Sequence, residues 1–319
     1  MPQEPTRTPV GVFVGLTVLD LVNRVEHYPG PNEKVTANTQ ELAAGGPAAN
    51  AAVTFAGLGG RAILITALGS SVQASVALQD LNAWGVEVID CAGPGFHIAT
   101  SCITVVEASG DRAIVSLDAG TVTVRLPASR KAQVESALQD CDVVLFDGHH
   151  PEVAEYVLDT LSTQPESTRP PSVLDAGRYK PQFEWLLPRV DHVVASADFA
   201  DPKEFIPHSA RAGNGVGASN QVIVRTRGGQ PALYWAQGVH GEVAPQKTQV
   251  LDTSGAGDAF HGGYAFAVAT KPRDQNAAVA VERAIEFAHQ VAGHRVAHIG
   301  PRNWVKTLSR VVQPAHSSK

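Results

Sequence analysis

The chain has 319 residues, 44% apolar and 18% charged, which is enough for one large α/β domain or two unequal ones. A net charge of −6 with no block of Lys or Arg argues against nucleic-acid binding, and no apolar run approaches a membrane span. Three scattered cysteines, Cys91, Cys102 and Cys141, read as reduced structural thiols of a cytoplasmic protein rather than a disulfide frame.

The first nine residues are polar, carry three prolines and lack the apolar core of a secretion signal; with Gln313–Lys319 they read as flexible tails. Val10–Leu16 is apolar and reads as a first buried strand leading to Asp20. Residues 17–44 alternate as strands do, around a turn at Tyr28-Pro-Gly-Pro-Asn32. Gly45-Gly-Pro-Ala-Ala-Asn50 then opens a helix of small residues. The rhythm turns to α/β: strand Ala62–Leu68, helix Gln73–Trp84, strand Val86–Asp90. Residues 97–118 interrupt it with a hairpin pattern, Ile98–Val106 and Arg112–Leu117 about a turn at Ser109-Gly-Asp111.

Alternation resumes at Pro127 with a helix to about Gln139, strand Val143–Phe146, helix Pro151–Leu161 and strand Ser172–Leu174. A short helix near Phe183–Leu187 and strands His192–Ala195 and Gln221–Arg225 follow, then a hairpin of Pro231–Trp235 and Val239–Val243. Helices Ala256–Ala269 and Gln275–Val291 and a last one near Arg302–Val311 complete the chain. Gly213-Asn-Gly-Val-Gly217 reads as a loop, not a phosphate loop, because no helix follows it closely. Alternating strands and helices imply a mostly parallel sheet covered on both faces, with ligands beyond the carboxyl ends of its strands. The two β-only interruptions read as a small separate sheet.

The most informative run is Asp252-Thr-Ser-Gly-Ala-Gly-Asp258, followed at once by a helical pattern. Small residues at a helix start leave backbone N–H groups bare, and these attract phosphate together with the positive end of the dipole. Asp258 lies just inside that start, where phosphate repels a carboxylate. Its presence makes sense as a base that takes a proton from a hydroxyl attacking phosphorus. The bland alternative is a carboxylate that merely favours the helix dipole.

Both motifs together carry a resemblance. The chain resembles the PfkB, or ribokinase-like, sugar kinases, through Asp252–Asp258 with Gly262 and Gly263 behind it, and through Gly45-Gly46, Asn50, Ala52, Gly59 and Gly69. The resemblance implies an α/β fold, a ribokinase-like three-layer αβα sandwich with a mostly parallel central sheet and a small β-sheet lid. It places a Rossmann-like kinase domain at 10–16, 45–96 and 119–312, and a discontinuous lid at 17–44 and 97–118. It implies transfer of the γ-phosphate of ATP to a sugar hydroxyl, with Mg²⁺, in a homodimer joined through the lid.

Carried over by position, Asp258 is the base and Gly255, Ala256 and Gly257 offer the amides of the anion hole. Asp20, Gly45, Gly46 and Asn50 line the sugar pocket, and Asp147 falls where another substrate-contacting acid often stands. Ser196, Thr226, Gly228, Gly229 and His289 fall on the nucleotide site, and Asp252 is the candidate for holding a monovalent cation, K⁺. Several positions keep a plain reading beside this one. Asp147-Gly148 is an ordinary turn signal, Thr226–Gly229 fits a hairpin turn, His289 fits a helix surface, and His149 and His150 lack the companions of a metal site.

The chain also departs from the pattern. The usual Asn-x-x-Glu that helps order Mg²⁺ is Ser196-Ala-Asp-Phe199, with Asp198 as the nearest substitute, and Pro231 replaces a glycine of the nucleotide loop. Val18 and Pro47 stand where ribose-specific members place a polar contact and a lysine, which favours a ketohexose or modified sugar. A nucleoside acceptor such as adenosine is the alternative, and a non-catalytic sugar- or nucleotide-binding protein a further one.

Overall fold

A computed structural model describes residues 7–117, 123–200, 221–270 and 277–312. The Gly213–Gly217 loop and the Gln313–Lys319 tail lie outside the described residues. The strands are β1 (Val10–Val14), β2 (Val18–Val25), β3 (Thr39–Gly45), β4 (Arg61–Thr66), β5 (Val86–Asp90), β6 (Thr100–Val106) and β7 (Arg112–Val115). They continue as β8 (Val143–Phe146), β9 (Ser172–Ala176), β10 (His192–Ala195), β11 (Val222–Arg227), β12 (Gln230–Ala236) and β13 (Val239–Val243). The helices are α1 (Pro47–Gly57), α2 (Val72–Ala83), α3 (Ala128–Gln139), α4 (Pro151–Ser162), α5 (Phe183–Leu186), α6 (Ala256–Thr270), α7 (Ala277–Val296) and α8 (Ser309–Val312).

Nine strands form one sheet in the order β13-β12-β11-β10-β9-β8-β1-β4-β5. It is parallel from β11 to β5 and antiparallel only at β11–β12 and β12–β13. The central strands are apolar on both sides, as a doubly covered sheet requires. One core packs α1, α2, α6 and α7 against Phe13, Leu64, Leu145 and Val194. The other packs α3, α4 and α5 against Val12, Ile63, Val144 and Val193. This is the expected three-layer αβα sandwich. The two interruptions of the α/β rhythm meet in a second sheet, β3-β2-β6-β7. Among the described residues no helix is long and apolar enough to cross a membrane.

Two helix ends differ from expectation. α7 runs on to Val296, through Gly293, because nothing breaks the chain there; His294 and Arg295 in its last turn suit the negative end of the dipole. The segment after it is a 3-10 turn over Asn303–Thr307 before α8, tightened as Trp304, Val305 and Leu308 bury into the core.

Glycines fix how α6 sits. A Cβ on Gly262 would lie 2.6 Å from the Ala51 carbonyl oxygen of α1, and one on Gly263 would lie 3.0 Å from Val291 of α7. The missing side chains let α6 lie directly against both neighbours. Replacing Gly262 by Ala gains about 1 kcal/mol of helix propensity but forces backbone apart, which costs roughly 1–3 kcal/mol. Gly262→Ala is therefore expected to lower the unfolding free energy in urea despite its better propensity.

Candidate active site

Two clefts meet at the start of α6. The first holds about 520 Å³ of empty space and is lined by Asp20, Val22 and Arg24 of β2, Asn50 of α1, Ser254 and Gly255 before α6, and Arg302. The second holds about 1350 Å³ and is lined by Thr226, Gly228, Gly229, Ala256, Gly257 and His289, among others. The short loop from Asp252 to Gly257 is thus the wall between them.

The first cleft follows from local backbone geometry. Asp20 stands on β2 opposite Ala43 of β3, and its carboxylate lies over Gly45, where a Cβ would come within 2.1 Å of it. Gly46 has φ +101, and a Cβ there would meet the Leu16 carbonyl oxygen at 2.3 Å, so only glycine fits this turn into α1. Pro47 suits the first helical position, and Asn50 follows one turn in, its N–H donating to the Gly46 carbonyl at 2.9 Å. Burial raises the pKa of Asp20 above its ordinary value, while Ser101 and Arg302 pull against that rise.

Asn50 is held at both ends of its amide. Its Nδ2 donates to Asp258 Oδ2 at 2.8 Å, and its Oδ1 accepts from Arg302 Nη1 at 3.1 Å. The orientation is chemically forced, since a carboxylate only accepts and a guanidinium only donates. Arg302 is fixed in turn by Asp80, 3.0 Å from its Nε, and by the Ala44 carbonyl. Asp258 is half-buried in the first turn of α6. Its carboxyl is pushed up to about 6, by burial first and by the charge of Asp175 second, against the opposing pull of Asn50 and His261. A carboxylate of that kind accepts a proton near neutral pH.

Asp175 is the penultimate residue of β9 and is buried; its own pKa is raised by that burial. His261, one turn beyond Asp258, lies 3.4 Å from Asp175 and has the Gly257 and Val194 carbonyls at 2.7 and 3.3 Å from its two ring nitrogens. Both act on Asp258 through their charge, Asp175 raising its pKa and His261 lowering it.

Asp147 sits elsewhere than the resemblance implies. Its carboxylate is fully buried and accepts the backbone N–H groups of Leu16 at 2.9 Å, Ala48 at 3.1 Å and His149 at 2.8 Å, with His149 Nδ1 at 3.0 Å. It ties the end of β1 to the start of α1 and lines neither cleft. Although burial opposes ionisation, His149 and Lys180 hold its pKa well below the ordinary carboxylate range.

Gly228, at φ +60, makes the tight β11–β12 turn, as the hairpin reading expects, and Thr226, Gly228 and Gly229 line the second cleft. His289 is buried rather than on a helix surface; its Nε2 lies 3.2 Å from the Val243 carbonyl, its ring is 5.2 Å from Phe260, and burial lowers its pKa. Ser196 does not reach this cleft, because its hydroxyl turns back to the Gly177 carbonyl at 2.6 Å.

The residues at 196–199 do not fit a direct metal shell. Phe199 is buried against Phe183 and Tyr179, with ring centroids 5.7 and 6.0 Å apart, and Asp198 is exposed. Among the described residues no group of three or more His, Cys, Asp or Glu is placed to hold a metal. Asp252, the candidate for a monovalent cation, is paired with Arg24 and lies 3.5 Å from Arg295 instead.

Sequence reasoning missed Arg24, Arg302, Asp175 and Arg295. The first and third had signals. Arg24 is four residues beyond Asp20 on a strand, hence on the same face. Asp175 falls near the end of an apolar strand, much as Asp147 follows one. Arg302 and Arg295 enter from chain ends whose pattern carries no such mark.

The pfkB family carbohydrate kinase domain matches residues 11–308, and the chain belongs to that family, whose members are phosphotransferases acting on sugar hydroxyls. A ribokinase of Bacillus subtilis (strain 168) is 24% identical over 298 residues, 93% of this chain and 96% of its own length. A pseudouridine kinase of Escherichia coli (strain K12) is 26% identical over 227 residues, 69% of this chain and 72% of its own length. In fold, the chain is similar to the ribokinase from Giardia lamblia, with a TM-score of 0.76 at 18% identity over 96% of this chain and 99% of that one.

Replacing Asp147 by Asn leaves buried N–H groups without a full set of acceptors, at a cost of roughly 1–3 kcal/mol. Because the folded pKa of Asp147 lies below its ordinary 3.8, its contribution is complete above that pH and fades as pH falls through the folded value. Urea unfolding of wild type and Asp147→Asn is expected to show a gap that is constant near neutrality and narrows in acid.

Proposed function

We propose that the protein transfers the γ-phosphoryl group of ATP to a hydroxyl of a carbohydrate, with Asp258 as the general base. The observation that carries this is the hydrogen bond that joins Asp258, itself outside the lining of both clefts, to Asn50 of the first, while its chain neighbour Gly257 lines the second. The acceptor occupies the first cleft against Asp20, Gly46 and Asn50. The nucleotide occupies the second, near Thr226, Gly228 and His289, with its phosphates toward the start of α6. Mg²⁺ bound to the nucleotide would offset phosphate charge there, and no cluster of acids among the described residues is placed to hold it.

Asp258 takes the proton of the attacking hydroxyl as the new oxygen–phosphorus bond forms. The oxygen that bridged the β- and γ-phosphorus atoms leaves with the bonding electrons on ADP. The transition state spreads charge over the phosphoryl oxygens. The start of α6 offers its positive end and the backbone of Gly255 and Gly257 to that charge, while the Ala256 N–H donates to the Thr253 carbonyl at 3.3 Å. Closure of the small sheet over the acceptor excludes water and so limits hydrolysis of ATP.

The lining of the first cleft supports a sugar over a nucleoside. Its one aromatic residue, Trp304, is buried with its indole N–H on the Pro301 carbonyl, and the rest is dominated by Asp, Asn, Arg and small apolar groups. Such groups suit hydroxyls better than the face of a base. Val18, buried beside Gly45, and Pro47, at the first turn of α1, support a ketohexose or modified sugar over plain ribose. The reading extends to a homodimer through the lid sheet, where Leu42, Ile114 and Val115 stand exposed.

A coupled ADP assay over ribose, fructose, modified sugars and adenosine tests this. Phosphorylation is expected with a sugar, and Asp258→Asn is expected to keep sugar-dependent thermal stabilisation while losing kcat by at least about 10²-fold. Near-normal kcat in that variant would remove Asp258 from the role of base.

A further inference from the structure

Asp252 begins the loop that ends in the anion hole, and its carboxylate is fully engaged. Oδ1 accepts the Ser254 N–H at 2.9 Å; Oδ2 accepts the Gly300 N–H at 3.2 Å, pairs with Arg24 and lies 3.5 Å from Arg295 Nη2. Both guanidinium groups are nearly sealed from solvent, Arg24 at 5% and Arg295 at 3% exposure. They reach Asp252 from different parts of the fold. Arg295 comes from the last turn of α7, where it also donates to the His298 carbonyl at 2.9 Å. Arg24 comes from the small sheet, on the face of β2 that presents Asp20 and Val22 to the acceptor cleft. Its Nε has no partner among the described residues, so the pair with Asp252 is what directs the guanidinium.

A monovalent cation placed on this carboxylate would meet two fixed positive charges in a poorly solvated site, where repulsion is strong. The residues around Asp252 therefore do not fit K⁺. The geometry points to Arg24 as a built-in cation: with Arg295 it holds the Asp252–Gly257 loop in place of a monovalent ion. Arg24 acts through Asp252 and is a positioning residue. The catalytic consequence rests on the kinase reading above; the misfit for K⁺ stands on the ion pairs alone.

Two measurements on the full-length protein test this. The first is thermal unfolding without substrate in K⁺, Na⁺ and tetramethylammonium chloride at equal ionic strength. Wild type is expected to melt at one temperature in all three, whereas Arg24→Ala, with Asp252 half freed, is expected to melt higher in K⁺. A rise in wild-type Tm specific to K⁺ overturns the proposal. The second is acceptor-dependent ADP release. Wild-type kcat is expected to be indifferent to K⁺, and Arg24→Ala to lose roughly 10²-fold in kcat, the scale of a small misplacement of catalytic groups. Guanidinium at millimolar concentration is expected to restore part of that loss, and Arg24→Lys to stay indifferent to K⁺. Activation of wild type by K⁺, an unchanged kcat in Arg24→Ala, or a loss that guanidinium does not relieve each overturns it. If Arg24→Ala fails to fold, Arg24→Lys and wild type carry both measurements. Failure of the kinase reading shows as no acceptor phosphorylation by wild type and leaves the thermal comparison intact.

Discussion

One hydrogen bond organises the site. Asn50 and Asp258 are 208 residues apart, yet their side chains meet at 2.8 Å because α1 and α6 lie in direct contact. That contact exists because Gly262 offers no side chain to the Ala51 carbonyl. The bond fixes one oxygen of the carboxylate beside the cleft that Asn50 lines, and its pull opposes the rise in pKa. Partial dehydration, with the charge of Asp175 nearby, then keeps the proton affinity of Asp258 near neutral pH. Packing at a glycine is in this way the remote cause of a chemical property at the helix start.

The acids around the site differ in their partners, and the partners set their uses. Asp147 is surrounded by N–H donors and stays ionised as a structural tie. Asp252 is matched by two arginines and, although burial opposes its ionisation, Arg295 and Ser254 hold its pKa below the ordinary value. Asp258 has one neutral amide donor among the described residues and the like charge of Asp175 near it, so it is poised to exchange a proton; burial raises Asp20 and Asp175 as well. Arg302 joins the acceptor side to this set by gripping Asn50 from behind, which keeps the amide from turning its oxygen toward Asp258.

Much of this was legible in the amino-acid order, for stated reasons. Apolar runs such as Val143–Phe146 announced buried parallel strands, and the alternation of 17–44 and 97–118 announced a sheet outside the layers. The glycines at 45 and 46 marked where backbone approaches something closely, whereas a Cβ on Gly257 would meet nothing within 4 Å. The burial of His289, the turning away of Ser196 and the backbone role of Asp147 were not legible, because each depends on which distant group faces the side chain. The same holds for Arg24 on Asp252, a pair whose members are 228 residues apart. Local pattern gives a residue its face and its element, and tertiary packing gives it a partner.

The central claim is that Asp258 accepts the proton of the attacking hydroxyl, with its pKa raised by burial and by Asp175. The most direct test is the pH dependence of kcat/KM for phosphoryl transfer. A base raised to about 6 is mostly protonated below that pH and free above it. The expected profile therefore climbs through about pH 6 and levels off toward neutrality, with the climb moved to lower pH in Asp175→Asn. A profile that is flat from about pH 5 upward would contradict the claim, since the reaction would then be indifferent to the protonation of this carboxylate.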